Sequence, residues 1–167
     1  MSIAAAPPGR GHCEVTAYVP AGPERVFARL DDQKRLAEHM RRPSLMMGGG
    51  RMAYVFDAGA GQAVGSRFRM SGRAFGLRLS VDQVVTERDP PRRKSWRTTG
   101  EPRLLIIGKY EMGFEVAPAA QGSNLRVWID YDPPSLRWPG VKLLTKAYAR
   151  WCVDQMAKDA VRATGRS

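Results

Sequence analysis

Short runs of alternating apolar and polar residues fill most of the chain, and one long helical run follows them. Residues 13–19 alternate in this way, which predicts a strand with one buried face. Pro23 then suits the first position of a short helix, because its missing N–H has no helical partner there. Val26, Phe27 and Leu30 form the apolar side of that helix. The chain therefore opens with a strand followed by a helix.

A second short helix and about six further strands come next. Asp31 or Asp32 offers an N-cap for this helix, and its helical spacing continues until the residues before Pro43. Between residues 51 and 131, six segments alternate between apolar and polar side chains and are separated by turn residues. One of them is predicted to run from about Ile106 to Val116. The pattern indicates a meander of antiparallel strands, each with one buried and one wet face.

The segment from Val141 to Thr164 contains neither Pro nor Gly and predicts a long C-terminal helix. A helical wheel gives it a wide aromatic stripe. That stripe consists of Val141, Leu144, Tyr148, Trp151, Cys152 and Gln155. The order of elements is of the α+β class, with a curved antiparallel sheet of about seven strands wrapped round the long helix.

Two segments carry a resemblance to a known superfamily. Residues 15–30, with the run Pro-Ala-Gly-Pro-Glu-Arg-Val-Phe, resemble the opening of the START-like (SRPBCC) superfamily, which includes pollen allergens and the polyketide cyclase/dehydrase and lipid-transport proteins. The aromatic C-terminal helix is similar to the closing helix of that superfamily. The resemblance implies a helix-grip fold with a hydrophobic cavity between sheet and helix. We expect a single domain over residues 12–164 after a flexible leader of residues 1–11.

Members of this superfamily bind lipids, sterols, polyketides or plant hormones in the cavity, and some cyclise or hydrolyse them. Our leading hypothesis is therefore binding, transport or sequestration of a hydrophobic or amphipathic small molecule, such as a lipid or polyketide. Inward-facing aromatic and methionine side chains are typical of such a lining, although they are also ordinary core residues. The candidates are Phe68, Met70, Leu79, Trp96, Tyr110, Met112, Phe114, Ile129, Leu144, Tyr148, Trp151 and Gln155.

A second hypothesis is an enzyme of the cyclase, dehydratase or hydrolase type. Tyr110, Tyr148 and His39 are its candidate acid/base groups, because each carries a proton that a reaction can use. Tyr148 and Gln155 lie two helical turns apart, so they either grip a polar group of a ligand or, as is more usual, hydrogen-bond to neighbouring backbone or buried water. The chain has no P-loop, no dinucleotide-binding glycine motif and no zinc-ligand spacing, so we expect neither a cofactor nor a metal.

The charge is strongly basic, with 27 Lys and Arg against 16 Asp and Glu and a formal net charge of +11. The excess falls mainly on residues 51–103, where Arg67 and Arg69 share an outward face and residues 92–94 form a basic turn. A third hypothesis is therefore contact with an anionic surface through these strands. An arginine-rich composition bias explains the excess equally well. Without interleaved aromatics or a known motif, we expect no specific nucleic-acid binding.

The remaining sequence signals concern location and assembly. The longest aliphatic run is Leu104–Ile107, far below the roughly 20 residues that cross a bilayer, and the start lacks the pattern of a signal peptide. Cys13 and Cys152 cannot build a disulfide framework. We expect a cytoplasmic monomer or homodimer that is not an integral membrane protein.

Overall fold

The computed structural model describes residues 9–36, 51–135 and 137–165, with Arg51 described by its backbone alone. Within these residues, seven strands form one antiparallel sheet in the order β1-β7-β6-β5-β4-β3-β2, and three helices accompany it. The elements are β1 (Gly11–Val19), α1 (Pro23–Asp31), α2 (Gln33–Leu36), β2 (Arg51–Phe56), β3 (Arg67–Ala74), β4 (Leu77–Asp89), β5 (Arg93–Arg103), β6 (Tyr110–Ala119), β7 (Gly122–Tyr131) and α3 (Val141–Thr164). The predicted α+β helix-grip architecture is confirmed.

Strand β7 shows why the alternating sequence gives a sheet with two different faces. Leu125, Val127 and Ile129 point inward and are buried, while the residues between them face outward. On the outer face the Nε of Arg126 donates to Glu14 on β1 (3.0 Å), and another nitrogen of its guanidinium lies 3.3 Å from Glu115 on β6. One face therefore supplies the core, and the other is solvated and ion-paired.

Helix α3 approaches the sheet through small side chains. Thr145, Ala149, Val153 and Ala160 are almost fully buried, since short side chains allow a helix to pack closely on its neighbours. The Thr145 hydroxyl also donates a hydrogen bond to the Ile106 carbonyl oxygen (2.5 Å). The aromatic stripe predicted for this helix lies beside the contact line, and its members, apart from the buried Val141, are half-buried. That flanking position leaves space between helix and sheet.

The prediction that a strand begins near Ile106 is wrong, because β6 begins at Tyr110 and residues 104–109 form a loop. Gly108 explains the loop. Its N–H donates to the Asp132 carbonyl oxygen (2.9 Å), and a Cβ at this position would lie 2.5 Å from the Pro133 carbonyl oxygen. The loop is thus fixed against the segment that leads to α3, and it covers one side of the space beneath that helix.

The prediction of a basic turn at residues 92–94 is wrong beyond Arg92, because β5 begins at Arg93. Lys94 is the second residue of β5, and its side chain points inward, 1% exposed. Its Nζ donates to the backbone oxygen (2.8 Å) and to Oδ1 (2.9 Å) of Asp31 at the end of α1. Arg88 pairs with the same carboxylate at 2.8 Å. These three residues form a buried charge cluster that ties α1 to the sheet.

Some sequence predictions fall outside the described residues. These include His39, the second helix beyond Leu36 and residues 1–8 of the predicted leader. Strand β1 begins at Gly11, and Arg10 before it pairs with Asp132 (2.9 Å). Among the helices of the described ranges, none combines the length and the apolar character needed to cross a membrane.

Candidate ligand-binding site

Two adjoining cavities lie between the inner face of the sheet and α3. The larger one, called here the main cavity, has a volume of about 80 Å³. The smaller one, called the side cavity, has a volume of about 50 Å³ and shares Met70, Leu104, Ile107 and Tyr148 with the main cavity. Both are small beside the roughly 300–1,000 Å³ of typical ligand pockets. A ligand held here is therefore small, or it enlarges the space on entry.

Seven of the twelve residues predicted to line a cavity do line the main cavity. They are Phe68, Met70, Trp96, Tyr110, Met112, Ile129 and Tyr148. Leu79 lines the side cavity instead. These residues come from β3, β4, β5, β6, β7 and α3, so the site is assembled from side chains that are far apart in the sequence.

The other four predicted residues line neither cavity. Phe114 is fully buried, with its ring centroid 5.5 Å from that of Phe27 on α1. Leu144, Trp151 and Gln155 are half-buried on α3, where the Trp151 ring stacks on Tyr148 at 5.8 Å. The structure thus does not bring Gln155 together with Tyr148 at a cavity wall.

Sequence reasoning missed seven further lining residues: Gln33, Tyr54, Gln83, Leu104, Ile107, Cys152 and Met156. Gln83 carried a usable signal, because it lies two positions from both Val81 and Val85 and so shares their buried face of the strand. Tyr54 likewise shares one face of its strand with Met52 and Phe56, each two positions away. Gln33 carried none, since a glutamine after an N-cap aspartate is typical of an exposed helix start.

The polar groups of the main cavity are neutral. Burial raises the pKa of Tyr110 and Tyr148 well above the usual value, and it raises the pKa of Tyr54 as well. Burial likewise raises the pKa of the Cys152 thiol to about 12. These groups keep their protons at neutral pH, so the phenols act as hydrogen-bond donors and the thiol is a poor nucleophile. Tyr110 already donates to Oε1 of Gln83 (2.8 Å).

Gln33 brings a second amide to the main cavity, and its side chain is buried with 4% exposed. The turn after β2 holds it in place, because Gly61 packs so closely that a Cβ there would lie 2.6 Å from the Gln33 Cγ. Asp32 caps α2 by accepting from the Lys34 N–H (3.1 Å), which fixes the backbone beside it. The Nε2 of Gln33 has no hydrogen-bond partner in the part of the chain that the structure describes.

This arrangement suits binding through shape and neutral hydrogen bonds. Within residues 9–36, 51–135 and 137–165, no group of three His, Cys, Asp or Glu side chains is placed to hold a metal ion. Tyr110 and Tyr148 offer protons but are poor bases in this setting. The geometry therefore supports orientation of a mostly apolar molecule by a few fixed donors.

The sheet, the long closing helix and the cavity between them define a helix-grip protein of the START-like class. The family model described as polyketide cyclase / dehydrase and lipid transport matches residues 10–161. The chain belongs to this family. A comparison with curated protein sequences found no significant match.

Solved structures share the fold at low sequence identity. The Zhui aromatase/cyclase from Streptomyces sp. R1128 is similar with a TM-score of 0.67 and 14% identity, over 94% of both chains. Protein CV1439 from Chromobacterium violaceum has a TM-score of 0.64 and 19% identity, over 93% of this chain and 98% of that one. Major latex-like protein 151 from Panax ginseng has a TM-score of 0.56 and 10% identity, over 93% and 97%. These likenesses concern the fold alone.

Proposed function

We propose that this protein binds a hydrophobic or amphipathic small molecule in the main cavity. The observation that carries the proposal is the cavity itself, which lies between sheet and helix and is walled by apolar and aromatic side chains with a few neutral donors. Membership of a family described by polyketide cyclisation and lipid transport supports the same chemistry. Tyr110 already donates to Gln83, so in this proposal the protonated phenols of Tyr54 and Tyr148 orient a ligand oxygen.

Native mass spectrometry of the purified protein, followed by thermal shifts across a panel of lipids and aromatic polyketides, tests the proposal. We expect at least one compound to bind with one-to-one stoichiometry and to raise the melting temperature. Cys152→Leu adds volume at the cavity wall and should abolish that shift. Ala147→Leu adds a similar volume to the exposed side of the same helix and should leave it unchanged. Absence of any ligand and of any shift would overturn the proposal.

A second candidate function is contact with an anionic membrane surface through the hairpin that joins β3 and β4. Phe75 and Leu77 at its tip are exposed by 75% and 54%. Arg73 and Arg78 are paired across the two strands directly behind them. Like charges opposite each other are unfavourable in a sheet unless an external anion compensates them. Phe75 also lines the side cavity, so the hairpin connects this surface with the ligand space.

The hairpin is better suited to this contact than the Arg67 and Arg69 pair, because Arg69 is already bound to Asp82 at 2.6 Å. The test is sedimentation with phosphatidylcholine vesicles that contain or lack phosphatidylglycerol. We expect binding only with the anionic lipid, lost at high salt and lost in Arg73→Glu/Arg78→Glu. The matched control Arg67→Glu/Arg69→Glu should retain more binding. Equal binding to both vesicles, or to neither, would reject the contact.

A further inference from the structure

Among the residues that the structure describes, the lining of the main cavity contains no charged side chain. None of its fourteen lining residues is Asp, Glu, Lys, Arg or His. An ionised carboxylate or ammonium group of a ligand would therefore be buried there without a counter-ion, which is among the most unfavourable events in a protein interior. The lining thus selects against charged ligands such as free fatty acids at neutral pH.

Within the described residues, one fully buried side-chain donor of this lining has no acceptor. The Nε2 of Gln33 is buried and has no partner among the described residues, whereas the Tyr110 hydroxyl already donates to Gln83 Oε1. A buried polar group without a hydrogen bond is costly to the fold and in native proteins usually meets a ligand or an ordered water molecule. The Gly61 contact prevents the side chain from withdrawing toward the turn. Gln33 therefore presents a fixed N–H donor.

The side cavity differs in character. Apart from Tyr148, which it shares with the main cavity, its lining consists only of Met, Ala, Phe, Leu and Ile side chains. The main cavity thus holds the neutral polar groups, Gln33 among them, and the adjoining side cavity, which Phe75 of the hairpin lines, is almost entirely apolar. An elongated molecule with one polar end matches this distribution.

We propose that the ligand is an uncharged amphipathic molecule whose carbonyl or ether oxygen accepts a hydrogen bond from Gln33 Nε2 and whose short apolar tail extends toward the side cavity. This inference rests on the proposed function, because it concerns the ligand of the same cavity. Gln33 is then a specificity-determining residue. Replacing its amide should not lower the stability of the unliganded protein, because the amide leaves a buried donor unsatisfied there.

Methyl octanoate and nonanoic acid are isomers and provide a matched pair of probes, because the ester is uncharged and the acid is ionised to nonanoate at neutral pH. Isothermal titration at neutral pH should show that the ester binds at least about tenfold more tightly than nonanoate. Gln33→Met, which keeps the length of the side chain and removes the donor, should weaken ester binding by about tenfold. The melting temperature of the unliganded variant should equal or exceed that of the wild type.

Gln62→Met serves as the control, because Gln62 is an exposed glutamine in the same turn as Gly61. It should change neither affinity, and Gln33→Leu provides a second test if the methionine variant folds poorly. Tighter or equal binding of nonanoate would overturn the inference. Full ester affinity in Gln33→Met would overturn it as well, since it would mean that a water molecule, and not the ligand, satisfies Gln33 Nε2 in the wild-type protein. Failure of both isomers to bind would also overturn it, while the proposed function would still be decided by the wider ligand panel.

Discussion

The hydroxyl of Tyr110 on β6 donates a 2.8 Å hydrogen bond to the Oε1 of Gln83 on β4, across the strand that lies between them. The contact is made inside the main cavity, and the backbone N–H of Tyr110 is fixed as well by the Thr98 hydroxyl of β5 (3.1 Å). Three neighbouring strands therefore hold one phenol in place. The pair sets the orientation of the Gln83 amide and supplies the polar wall of the site.

Tyr110→Phe tests the contribution of this pair. The ring remains and the donor is lost, so the buried Gln83 oxygen has no partner, and we expect the free energy of unfolding to fall by about 1–3 kcal/mol. Urea denaturation measures the change. The double variant Tyr110→Phe/Gln83→Leu should recover part of the loss, because it removes the unsatisfied acceptor as well. Purely additive losses in the double variant would contradict the pairing.

Asp31→Asn tests the buried charge cluster. Burial alone raises the pKa of the Asp31 carboxyl, but hydrogen bonds from Arg88 and Lys94 outweigh it and lower the pKa below the usual 3.8. The stabilisation is therefore present above the usual pKa and is lost as pH falls through the lowered one. At neutral pH the variant leaves Lys94 buried beside a neutral partner, and we expect a loss of about 3–5 kcal/mol.

Urea denaturation at neutral pH and in acid separates this effect from a general loss of structure. The difference between wild type and Asp31→Asn should shrink in acid, because the wild-type carboxyl becomes neutral too. Asp154→Asn is the control, since it removes a partly exposed partner of Arg150 on α3 and should cost less than about 1 kcal/mol. A constant difference at all pH values would show that the charge of Asp31 is not what stabilises the fold.

His12 on β1 should make stability depend on pH with the sign opposite to that of Asp31. Partial burial lowers the pKa of this imidazole, but Asp130 (2.6 Å) and Glu14 (3.2 Å) outweigh burial and raise it above the usual 6.5. The stabilisation is fully present below the usual pKa and disappears as pH rises through the raised one. Thermal melts in mildly acidic and alkaline buffer should show a small advantage of wild type over His12→Asn in acid only. Equal melting temperatures of the two proteins in acid would refute it.

Gly108→Ala tests whether the loop at residues 104–109 shapes the site. The added Cβ would meet the Pro133 carbonyl oxygen at 2.5 Å, so the backbone must shift, at a cost of about 1–3 kcal/mol. Because Leu104 and Ile107 line both cavities, ligand affinity should fall as well. Gly22→Ala is the control, since its Cβ would have an ordinary 3.5 Å neighbour and Gly22 lines neither cavity. If Gly108→Ala is destabilised but its ligand affinity is unchanged, the loop does not shape the ligand site.

The fold was predictable because the periodicity of apolar residues within each short segment decides whether that segment is a helix or a strand and which face it buries. Helix α3 has the bounds that the absence of Pro and Gly indicated, and the inner positions of β7 follow from alternation alone. The residues that line the cavity were predictable only in part, because a strand pattern states which face is buried and not what covers it. Phe114 and Met112 share one face of β6, yet α1 covers Phe114 while Met112 reaches the cavity.

Polar residues were the ones that sequence reasoning placed worst. Lys94 and Gln33 are buried by contacts with segments 63 and 28 positions away, Asp31 and Gly61 respectively, and no local pattern encodes such contacts. The aromatic stripe predicted for α3 differs from the face that packs on the sheet for a related reason. Small residues such as Ala149 are the most deeply buried on this helix, whereas a hydrophobicity wheel gives more weight to Trp151.

Methyl NMR during titration with methyl octanoate tests the central claim most directly. We expect saturable shifts of the methyl resonances of Met70, Met112 and Ile129, which line the main cavity, while Val64 and Leu143, exposed by 62% and 75%, stay unchanged. The shifts should disappear in Cys152→Leu and persist in Ala147→Leu. Shifts confined to the exposed methyl groups, or no saturable shift at any cavity methyl, would contradict a ligand site between the sheet and α3.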